Sequence, residues 1–243
     1  MRILIIRHGE PDYPNDSLTE KGHREAELVA QRLIKEDIRD FYVSPLGRAR
    51  VTAAPTLRKF GKEAEVCDWL QEFPPLIVKP DQPQDKTIAW DWLPADWTGN
   101  PDFYDSDKWM QTEVMRAGRV DEAYRHVAEG LDGIIARYGY RREGNLYRVE
   151  QPCRDTIALF CHFGLECVLL GHLFHVSPMI LWHSTALAPT SVTTIYSEER
   201  REGIASFRAL SIGDLSHLYA AGEKPSFSAR FCETYRCWEE RHD

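Results

Sequence analysis

The chain has 243 residues, of which 43% are hydrophobic and 28% charged, and it carries a formal net charge of −8 at pH 7. This length and composition are typical of one large globular domain with a substantial apolar core. The negative charge disfavours nucleic acid as a partner, because binding a phosphate backbone requires a basic face. No apolar stretch is long enough to cross a bilayer, so the sequence also disfavours a membrane protein.

The cysteines argue against a disulfide framework and against a metal site. They are scattered without a paired Cys-x-x-Cys spacing, at Cys67, Cys153, Cys161, Cys167, Cys232 and Cys237. In a chain of this length that pattern is typical of reduced thiols, and the first residues lack the features of a secretory signal. We therefore expect a cytoplasmic protein that needs neither a metal ion nor a cofactor. The sequence leaves the oligomeric state open, a homodimer included.

The first predicted strand ends in residues that could bind and react with a substrate. Residues 1–6 form a largely apolar run of strand length, and Arg7, His8 and Gly9 follow it directly. In an open α/β sheet the carboxyl ends of the strands form the ligand crevice. A cation and a titratable nucleophile there, beside a glycine that permits close backbone approach, suit an anionic substrate. Phosphate is the first candidate.

Alternating helix and strand patterns follow. Thr19 is placed to cap a helix whose apolar residues recur at helical spacing. Residues 40–43 form a short strand pattern, and Ser44 is expected to cap the next helix, which runs to about Gly61. Residues 65–67 are a third strand candidate. This alternation is typical of an α/β protein.

The segment from Phe73 to about Gly118 interrupts the alternation. It contains prolines and tryptophans at Pro74, Pro75, Pro80, Pro83, Pro94, Pro101, Trp90, Trp92, Trp97 and Trp109. We interpret it as a cap, at about residues 73–118, inserted over the sheet. Its tryptophans either line a pocket for an apolar, aromatic or sugar part of a substrate or pack the cap onto the sheet, and the sequence favours neither.

The second half of the chain returns to regular patterns. Residues 120–138 keep helical periodicity, and residues 157–161 form a fully apolar strand pattern that ends in His162. Two strands thus bring a histidine to the same edge of the sheet. The last strand patterns, 192–196 and 205–210, are predicted to close the sheet as a hairpin.

Three motifs occur in a defined order along the chain. They are Arg7-His8-Gly9-Glu10, then Ser44-Pro45-Leu46-Gly47-Arg48-Ala49 followed by Thr52-Ala53, and finally His162 at a strand end. In this combination they resemble the histidine phosphatase superfamily, also called the phosphoglycerate mutase-like family. The resemblance implies a three-layer α/β/α sandwich with a mostly parallel central sheet, formed by residues 1–243 as a single domain with the inserted cap at about 73–118.

The resemblance also implies roles for four residues. His8 would attack phosphorus to give a phosphohistidine that water then cleaves, while Arg7, Arg48 and His162 would bind the phosphoryl oxygens. Phosphoryl transfer gains mostly from positioning and charge compensation, which planar guanidinium groups provide. Since the attacking nitrogen must be unprotonated, we expect the other ring nitrogen of His8 to donate to a backbone carbonyl near Gly9.

The proton donor for the leaving group is expected to be Glu72. In the mutase-like branch of the family this donor is a glutamate in a Leu-x-Glu segment, which Leu70-Gln71-Glu72 matches. In the acid-phosphatase branch it is an aspartate directly after the second histidine, where this chain has Phe163. Burial under the cap would favour the neutral form of Glu72, as a general acid requires.

The chain departs from the mutases in two places. Asn15 is not equated with their phosphate-contacting asparagine, because the loop between Glu10 and Leu18 is shorter than in the mutases. The tyrosine and basic residues that follow the catalytic glutamate in mutases are absent from residues 73–78. We therefore expect a phosphatase acting on a small phosphorylated substrate. A phosphoglycerate mutase and a non-catalytic phosphate-binding module remain the alternatives.

Overall fold

The computed structural model describes residues 1–227 and 233–237. The strands are β1 (Arg2–Arg7), β2 (Pro11–Asp12), β3 (Ser17–Leu18), β4 (Asp40–Val43), β5 (Glu65–Val66), β6 (Leu76–Lys79), β7 (Gln82–Ile88), β8 (Tyr140–Glu143), β9 (Leu146–Val149), β10 (Thr156–Cys161), β11 (Val192–Arg201) and β12 (Ile204–Asp214). The α-helices are α1 (Glu20–Leu33), α2 (Gly47–Phe60), α3 (Pro94–Trp97), α4 (Glu113–Ala117), α5 (Val120–Arg137), α6 (Phe163–Phe174), α7 (Pro178–Ser184) and α8 (Ser216–Ala221). Short 3-10 turns lie at Tyr13–Asn15, Asp68–Leu70, Pro101–Tyr104 and Trp109–Gln111. Within the described ranges no helix has the length and apolar character that a membrane span requires.

The central sheet contains eight strands in the described part of the chain, in the order β5-β4-β10-β1-β11-β12-β9-β8. Strands β5, β4, β10 and β1 pair in parallel, whereas the pairs from β1 through β11, β12 and β9 to β8 are antiparallel. In the parallel half, Arg7 of β1 lies opposite Cys161 of β10. The residues that follow these two strands therefore leave the sheet side by side at one edge.

Apolar side chains of β1 enter two different core clusters. Ile3 and Ile5 pack in a cluster with residues of α5 and α6, whereas Leu4 and Ile6 pack with residues of α1 and α2. Successive side chains of a strand point to opposite faces, so helices cover both faces of the sheet. The predicted α/β/α sandwich is confirmed.

The helix ends follow their sequence signals at two positions. The Thr19 hydroxyl accepts a hydrogen bond from the backbone N–H of Gly22 at 3.0 Å, which caps α1. Gly61 ends α2 in the left-handed conformation, with φ of 62°, which glycine adopts without steric cost. Both predictions are confirmed.

The prediction that Ser44 caps the second helix is wrong. Helix α2 begins at Gly47, and its N-cap residue is Leu46, which makes no side-chain capping bond. The Ser44 hydroxyl instead accepts from the backbone N–H of Leu46 at 3.2 Å and lies 2.8 Å from Nε2 of His162. Because α2 begins only at Gly47, the N–H that Ser44 bonds, that of Leu46, lies before the first turn of the helix.

Residues 73–118 contain the β6–β7 hairpin, helices α3 and α4 and two of the 3-10 turns. Trp92, Trp97 and Trp109 are buried in the same apolar cluster as Ile3 and Ile5. For Trp97 and Trp109 the structure supports packing rather than substrate contact, whereas Trp92 also lines a cavity of the cap. Trp90 is only partly buried and lies near other residues, described below.

Several short elements were not predicted. The β6–β7 and β8–β9 hairpins and helix α7 have no clear periodicity, because β7 is almost wholly exposed and β8 is rich in charge. The hairpin of β11 and β12 was predicted but is longer than expected, since exposed charged residues continue both strands. Cys232 lies outside the described residues, and the other five cysteines are free.

Candidate active site

Two histidines meet at the edge where β1 and β10 end. The backbone N–H of His8 donates to the carbonyl of Cys161 at 3.0 Å. The rings of His8 and His162 lie 5.0 Å apart, centroid to centroid, at an angle of 55°, and both residues are buried. The prediction that two strands bring these histidines together is confirmed.

The hydrogen bond of the His8 ring fixes its tautomer. Nδ1 lies 2.7 Å from the carbonyl oxygen of Gly9, as expected from the sequence. Because a carbonyl can only accept, Nδ1 carries the hydrogen and Nε2 keeps its lone pair. Burial and the charge on Arg7 lower the pKa of His8 well below its usual value. The ring is therefore neutral at pH 7, with an unprotonated Nε2.

Gly9 is required for the close approach of the motif to α1. A Cβ at this position would lie 2.8 Å from the carbonyl oxygen of Gly22. The backbone N–H of Gly9 also donates to the Thr52 hydroxyl at 2.9 Å, and that hydroxyl donates to the carbonyl of Arg48 at 2.7 Å. The strand-end motif and helix α2 are thereby joined beside His8.

Arg7 is a buried cation next to the histidines. Its Nη1 donates to the carbonyl of Leu187, and its guanidinium lies over the ring of Phe163, 5.8 Å from the centroid. Burial lowers the pKa of Arg7, while the charges of Glu72 and Glu166 oppose that effect. The guanidinium is thus fixed in the site by the carbonyl of Leu187.

Arg48 lies in the first turn of α2 and is oriented by Asp16. Its Nη1 donates to Oδ1 of Asp16 at 2.7 Å, and the backbone N–H of Gly47 donates to Oδ2 at 2.6 Å. Nε of Arg48 is buried and meets no acceptor among residues 1–227 and 233–237. One N–H of this guanidinium therefore remains for an anionic ligand. Asn15 instead bonds to the side chain of Asp12.

His162 has a second buried nitrogen without a partner. The Ser44 hydroxyl lies 2.8 Å from Nε2, while Nδ1 is buried with no hydrogen bond within the described chain. Burial and the nearby His8, Arg48 and Arg7 lower the pKa of His162 well below its usual value. The Ser44 hydroxyl can accept from a backbone N–H and still donate, and a neutral His162 whose Nε2 accepts that proton carries its own hydrogen on Nδ1, as a donor for a ligand.

Glu72 lies at the start of α6. Its Oε1 accepts from the backbone N–H groups of Phe73 at 2.8 Å and Leu165 at 2.9 Å, and Oε2 accepts from Gly164 at 3.3 Å. Burial raises the pKa of Glu72, and this effect outweighs those N–H groups and the charge of Arg7, which lower it. The direction is the one expected of a general acid.

Trp90 reaches this group of residues. Its indole N–H donates to the carbonyl of Phe73 at 3.2 Å, and its ring lies 6.0 Å from that of Phe163. A Cβ on Gly164 would lie 2.8 Å from both Trp90 and Glu72. Residues 73–118 thus contribute Trp90 beside the expected proton donor.

Glu10 joins the strand-end motif to the C-terminal segment. Its backbone N–H donates to Oε2 of Glu25 at 2.8 Å, and the Ser226 hydroxyl lies 2.6 Å from a carboxyl oxygen of each glutamate. A hydroxyl has one proton, so one carboxyl must donate to Ser226. Burial raises the pKa of Glu25, whereas the hydroxyls of Ser226 and Thr19, against the effect of burial, lower that of Glu10. Glu25 is therefore the protonated partner.

The cap contains a cavity that is separate from these residues. It has a volume of about 640 Å³ and is lined by side chains that include Leu76, Val78, Trp92, Phe103 and Val114. Arg7, His8, Arg48, Glu72 and His162 are not among its lining residues. The residues expected to carry the chemistry therefore lie at the sheet edge rather than in this apolar cavity.

Sequence reasoning missed three residues of the site. Asp16 belongs to no motif and is placed by a left-handed turn, with φ of 44°. Leu187 contributes only its backbone carbonyl, which leaves no signal in the sequence. Glu166 could have been found, since an acidic residue inside an otherwise apolar helix calls for an explanation.

Comparisons with known proteins agree with this geometry. The model of the histidine phosphatase superfamily (branch 1) matches residues 3–209. Serine/threonine-protein phosphatase Pgam5, mitochondrial, of Caenorhabditis briggsae is 28% identical over 222 residues, covering 89% of this chain and 64% of that protein. A 2,3-bisphosphoglycerate-dependent phosphoglycerate mutase of Thermoplasma acidophilum is 41% identical over 70 residues, covering 25% of this chain and 35% of the mutase. The chain spans less than two thirds of the length of either relative.

Among solved structures, the mycobacterial glucosyl-3-phosphoglycerate phosphatase in complex with VO3 has a TM-score of 0.56 at 22% identity, covering 87% of this chain and 98% of that chain. Identity at this level establishes the shared fold alone. The match of the family model over residues 3–209 decides the family. This chain belongs to the histidine phosphatase superfamily.

Proposed function

We propose that this protein hydrolyses a small phosphomonoester through a phosphohistidine on His8. Arg7, Arg48 and His162 bind the phosphoryl oxygens, and Glu72 donates the proton to the leaving group. The observation that carries the proposal is the environment of His8: a neutral imidazole with its Nε2 lone pair available, beside buried N–H groups of Arg48 and His162 that meet no acceptor within the described residues. A phosphoryl group would supply those acceptors.

Binding depends on charge and on position. Two guanidinium groups and the Nδ1–H of His162 would surround the phosphoryl oxygens and compensate the charge that spreads over them in the transition state. Arg7 and Arg48 are each held by another group, Leu187 and Asp16. Little reorganisation is then needed when substrate arrives.

The chemical step transfers the phosphoryl group to Nε2 of His8. The bond from phosphorus to the ester oxygen breaks as the bond from phosphorus to Nε2 forms, and the leaving oxygen takes the proton of Glu72. The resulting carboxylate is stabilised by the backbone N–H groups of Phe73, Leu165 and Gly164. Glu72 can then take a proton from water as the water attacks phosphorus and releases His8.

Three further expectations belong to this proposal. The reaction needs no metal ion, since the two arginines supply the charge compensation that a metal would otherwise give. The chain acts as a single domain in which about residues 73–118 form the cap, with Trp90 nearest the leaving group. A cytoplasmic location stays a prediction.

The proposal is tested by turnover of p-nitrophenyl phosphate by the full chain. We expect His8→Ala to lower kcat/KM by on the order of 10⁴-fold or more, because the nucleophile is lost. His126 is an exposed histidine on α5, and His126→Ala should leave turnover unchanged. Turnover that survives His8→Ala would refute the proposal, and turnover abolished by EDTA would refute its metal-independent part. Product analysis with a phosphoglycerate distinguishes hydrolysis from mutase transfer.

A further inference from the structure

The turn that precedes β11 holds the strand-end motif at several points. The backbone N–H of Thr190 lies within hydrogen-bond distance of two carbonyl oxygens, that of Arg7 at 3.1 Å and that of His8 at 3.2 Å. The backbone N–H of Arg7 donates to the carbonyl of Ser191 at 3.2 Å. Leu187, just before the turn, accepts from the guanidinium of Arg7. One short segment thus binds the backbone of both motif residues and the side chain of the first.

The conformation of this turn favours glycine where the chain has Thr190. The backbone N–H of Ser191 donates to the carbonyl of Ala188 at 3.0 Å, which closes a four-residue turn. Pro189 is its second residue, and Thr190, with φ of 58°, is its third. This is the pattern of a type II turn, whose third residue is usually glycine. Among the residues that the structure describes, Thr190 is the one β-branched residue in the left-handed region, and such strain calls for a functional explanation.

The side chain of Thr190 is bonded on two sides. The residue is fully buried, and its hydroxyl donates to the carbonyl of Pro189 at 2.8 Å. The same hydroxyl lies 3.2 Å from Nε2 of His217, a buried residue of α8. Because the carbonyl takes the one proton of the hydroxyl, Nε2 of His217 is the donor in the second bond. Helix α8 is thereby joined to the turn that holds the motif.

We propose that Thr190 and His217 are positioning residues for phosphoryl transfer. His217 fixes the Thr190 hydroxyl, and Thr190 in turn fixes the carbonyl groups of Arg7 and His8. The inference rests on the proposed function, in which Arg7 binds the phosphoryl group and His8 attacks it. In-line attack tolerates little displacement, since a shift of about 1 Å can lower a rate by about 100-fold. Both residues act through the backbone of the motif and not on the substrate.

Glycine at position 190 separates positioning from folding. In Thr190→Gly the relief of backbone strain offsets the lost side-chain contacts, so the urea midpoint should stay near that of the wild type. The lost hydroxyl should still lower kcat/KM for p-nitrophenyl phosphate by roughly fivefold to tenfold. Thr190→Ser keeps the hydroxyl and should stay within about twofold of wild type. Arg119, exposed before α5, has φ of 55°, and Arg119→Gly is the matched control that should leave kcat/KM unchanged.

The role of His217 is tested through its N–H group. His217→Leu removes the donor and should lower kcat/KM by roughly fivefold. His217→Gln supplies an amide N–H in its place and should restore kcat/KM to within about twofold of wild type. In the Thr190→Gly background, His217→Leu should have no further effect, because its partner is already absent. His126→Leu, at an exposed histidine of α5, is the matched control.

The outcomes distinguish this inference from the proposed function. Wild-type kcat/KM in Thr190→Gly would overturn the inference and leave hydrolysis through His8 in place. Losses that multiply in the double variant would show that His217 does not act through Thr190. Losses in Thr190→Ser and His217→Gln as large as those in Thr190→Gly and His217→Leu would show that packing, and not the hydrogen bond, is responsible. Turnover that does not depend on His8 would overturn the proposed function, and this inference with it.

Discussion

The sheet edge where β1 and β10 end and the cap of about residues 73–118 both contain buried N–H groups without acceptors, yet the two regions differ in kind. In the cap these are the indole N–H groups of Trp92, Trp97 and Trp109, which lack partners among the described residues. At the sheet edge they belong to Arg48 and His162 and lie beside the Gly9-bonded ring of His8. Unpaired donors alone therefore do not mark a site.

The charge around the donors makes the difference. Each neutral indole N–H left unpaired costs about 1–3 kcal/mol, which aromatic packing offsets: the ring of Trp109 lies 5.4 Å from that of Trp182 and 5.8 Å from that of Tyr124. At the sheet edge two guanidinium groups share a buried volume with two neutral histidines. An anion would satisfy the donors of that set together. In the proposed function the cap contributes stability, and the edge contributes binding and chemistry.

The largest effect that would test this contrast is on stability. Trp109 is fully buried, so Trp109→Ala should lower the free energy of unfolding by about 3–5 kcal/mol. Urea denaturation measures this value. Leu93→Ala, at an exposed residue of the cap, should cost less than about 0.5 kcal/mol. A loss below about 1 kcal/mol for Trp109→Ala would break the comparison.

Arg48 gives the next largest effect, on activity rather than stability. Removing one preorganised donor of the proposed phosphate site should lower kcat/KM by about 10²–10³-fold. Arg50 is exposed on the same helix, and Arg50→Ala should leave kcat/KM within about twofold of wild type. Equal losses in the two variants would show that Arg48 acts only through the helix.

A substitution at Ser44 tests the role of its hydrogen bond to His162. Ser44→Ala removes the hydroxyl that lies 2.8 Å from Nε2 of His162, so the ring loses the partner that fixes its tautomer. The loss of about 1–1.5 kcal/mol corresponds to a decrease of roughly tenfold in kcat/KM. Ser206→Ala, at an exposed residue of β12, is the matched control. If Ser44 served only as a helix cap, Ser44→Ala would change stability and spare activity.

The smallest effect concerns Glu25. Its pKa is raised in the folded protein, so its contribution to stability is complete below the unfolded pKa of about 4.3 and is lost as the pH rises through the folded value. Relative to Glu25→Gln, the wild type should lose stability with rising pH, by at most about 1.4 kcal/mol per pH unit. Urea midpoints of both proteins between pH 4 and pH 8 measure the difference. Glu63→Gln, at an exposed residue, should show the wild-type slope, and an identical slope for Glu25→Gln would contradict the shared proton.

The two regions also differ in how far the sequence predicts them. The edge follows from apolar runs that end in Arg7-His8 and in His162, because parallel strands in register bring such residues together. The bond from Nδ1 of His8 to the Gly9 carbonyl could be predicted, because an attacking ring nitrogen must be unprotonated and the hydrogen must then lie on the other nitrogen. Asp16 could not be predicted, because a turn rather than a motif places it against Arg48. In the cap, tryptophans and prolines indicate that the alternation of strands and helices is interrupted. Neither residue type predicts the β6–β7 hairpin.

Capture of the phosphorylated protein tests the central claim most directly. The full chain would be mixed with a ³²P-labelled aryl phosphate, quenched in alkali within one turnover, and digested for mass spectrometry. We expect label that is stable in alkali and labile in acid, on the peptide that contains His8. Label on any other residue, or turnover without a phosphorylated protein, would contradict the account.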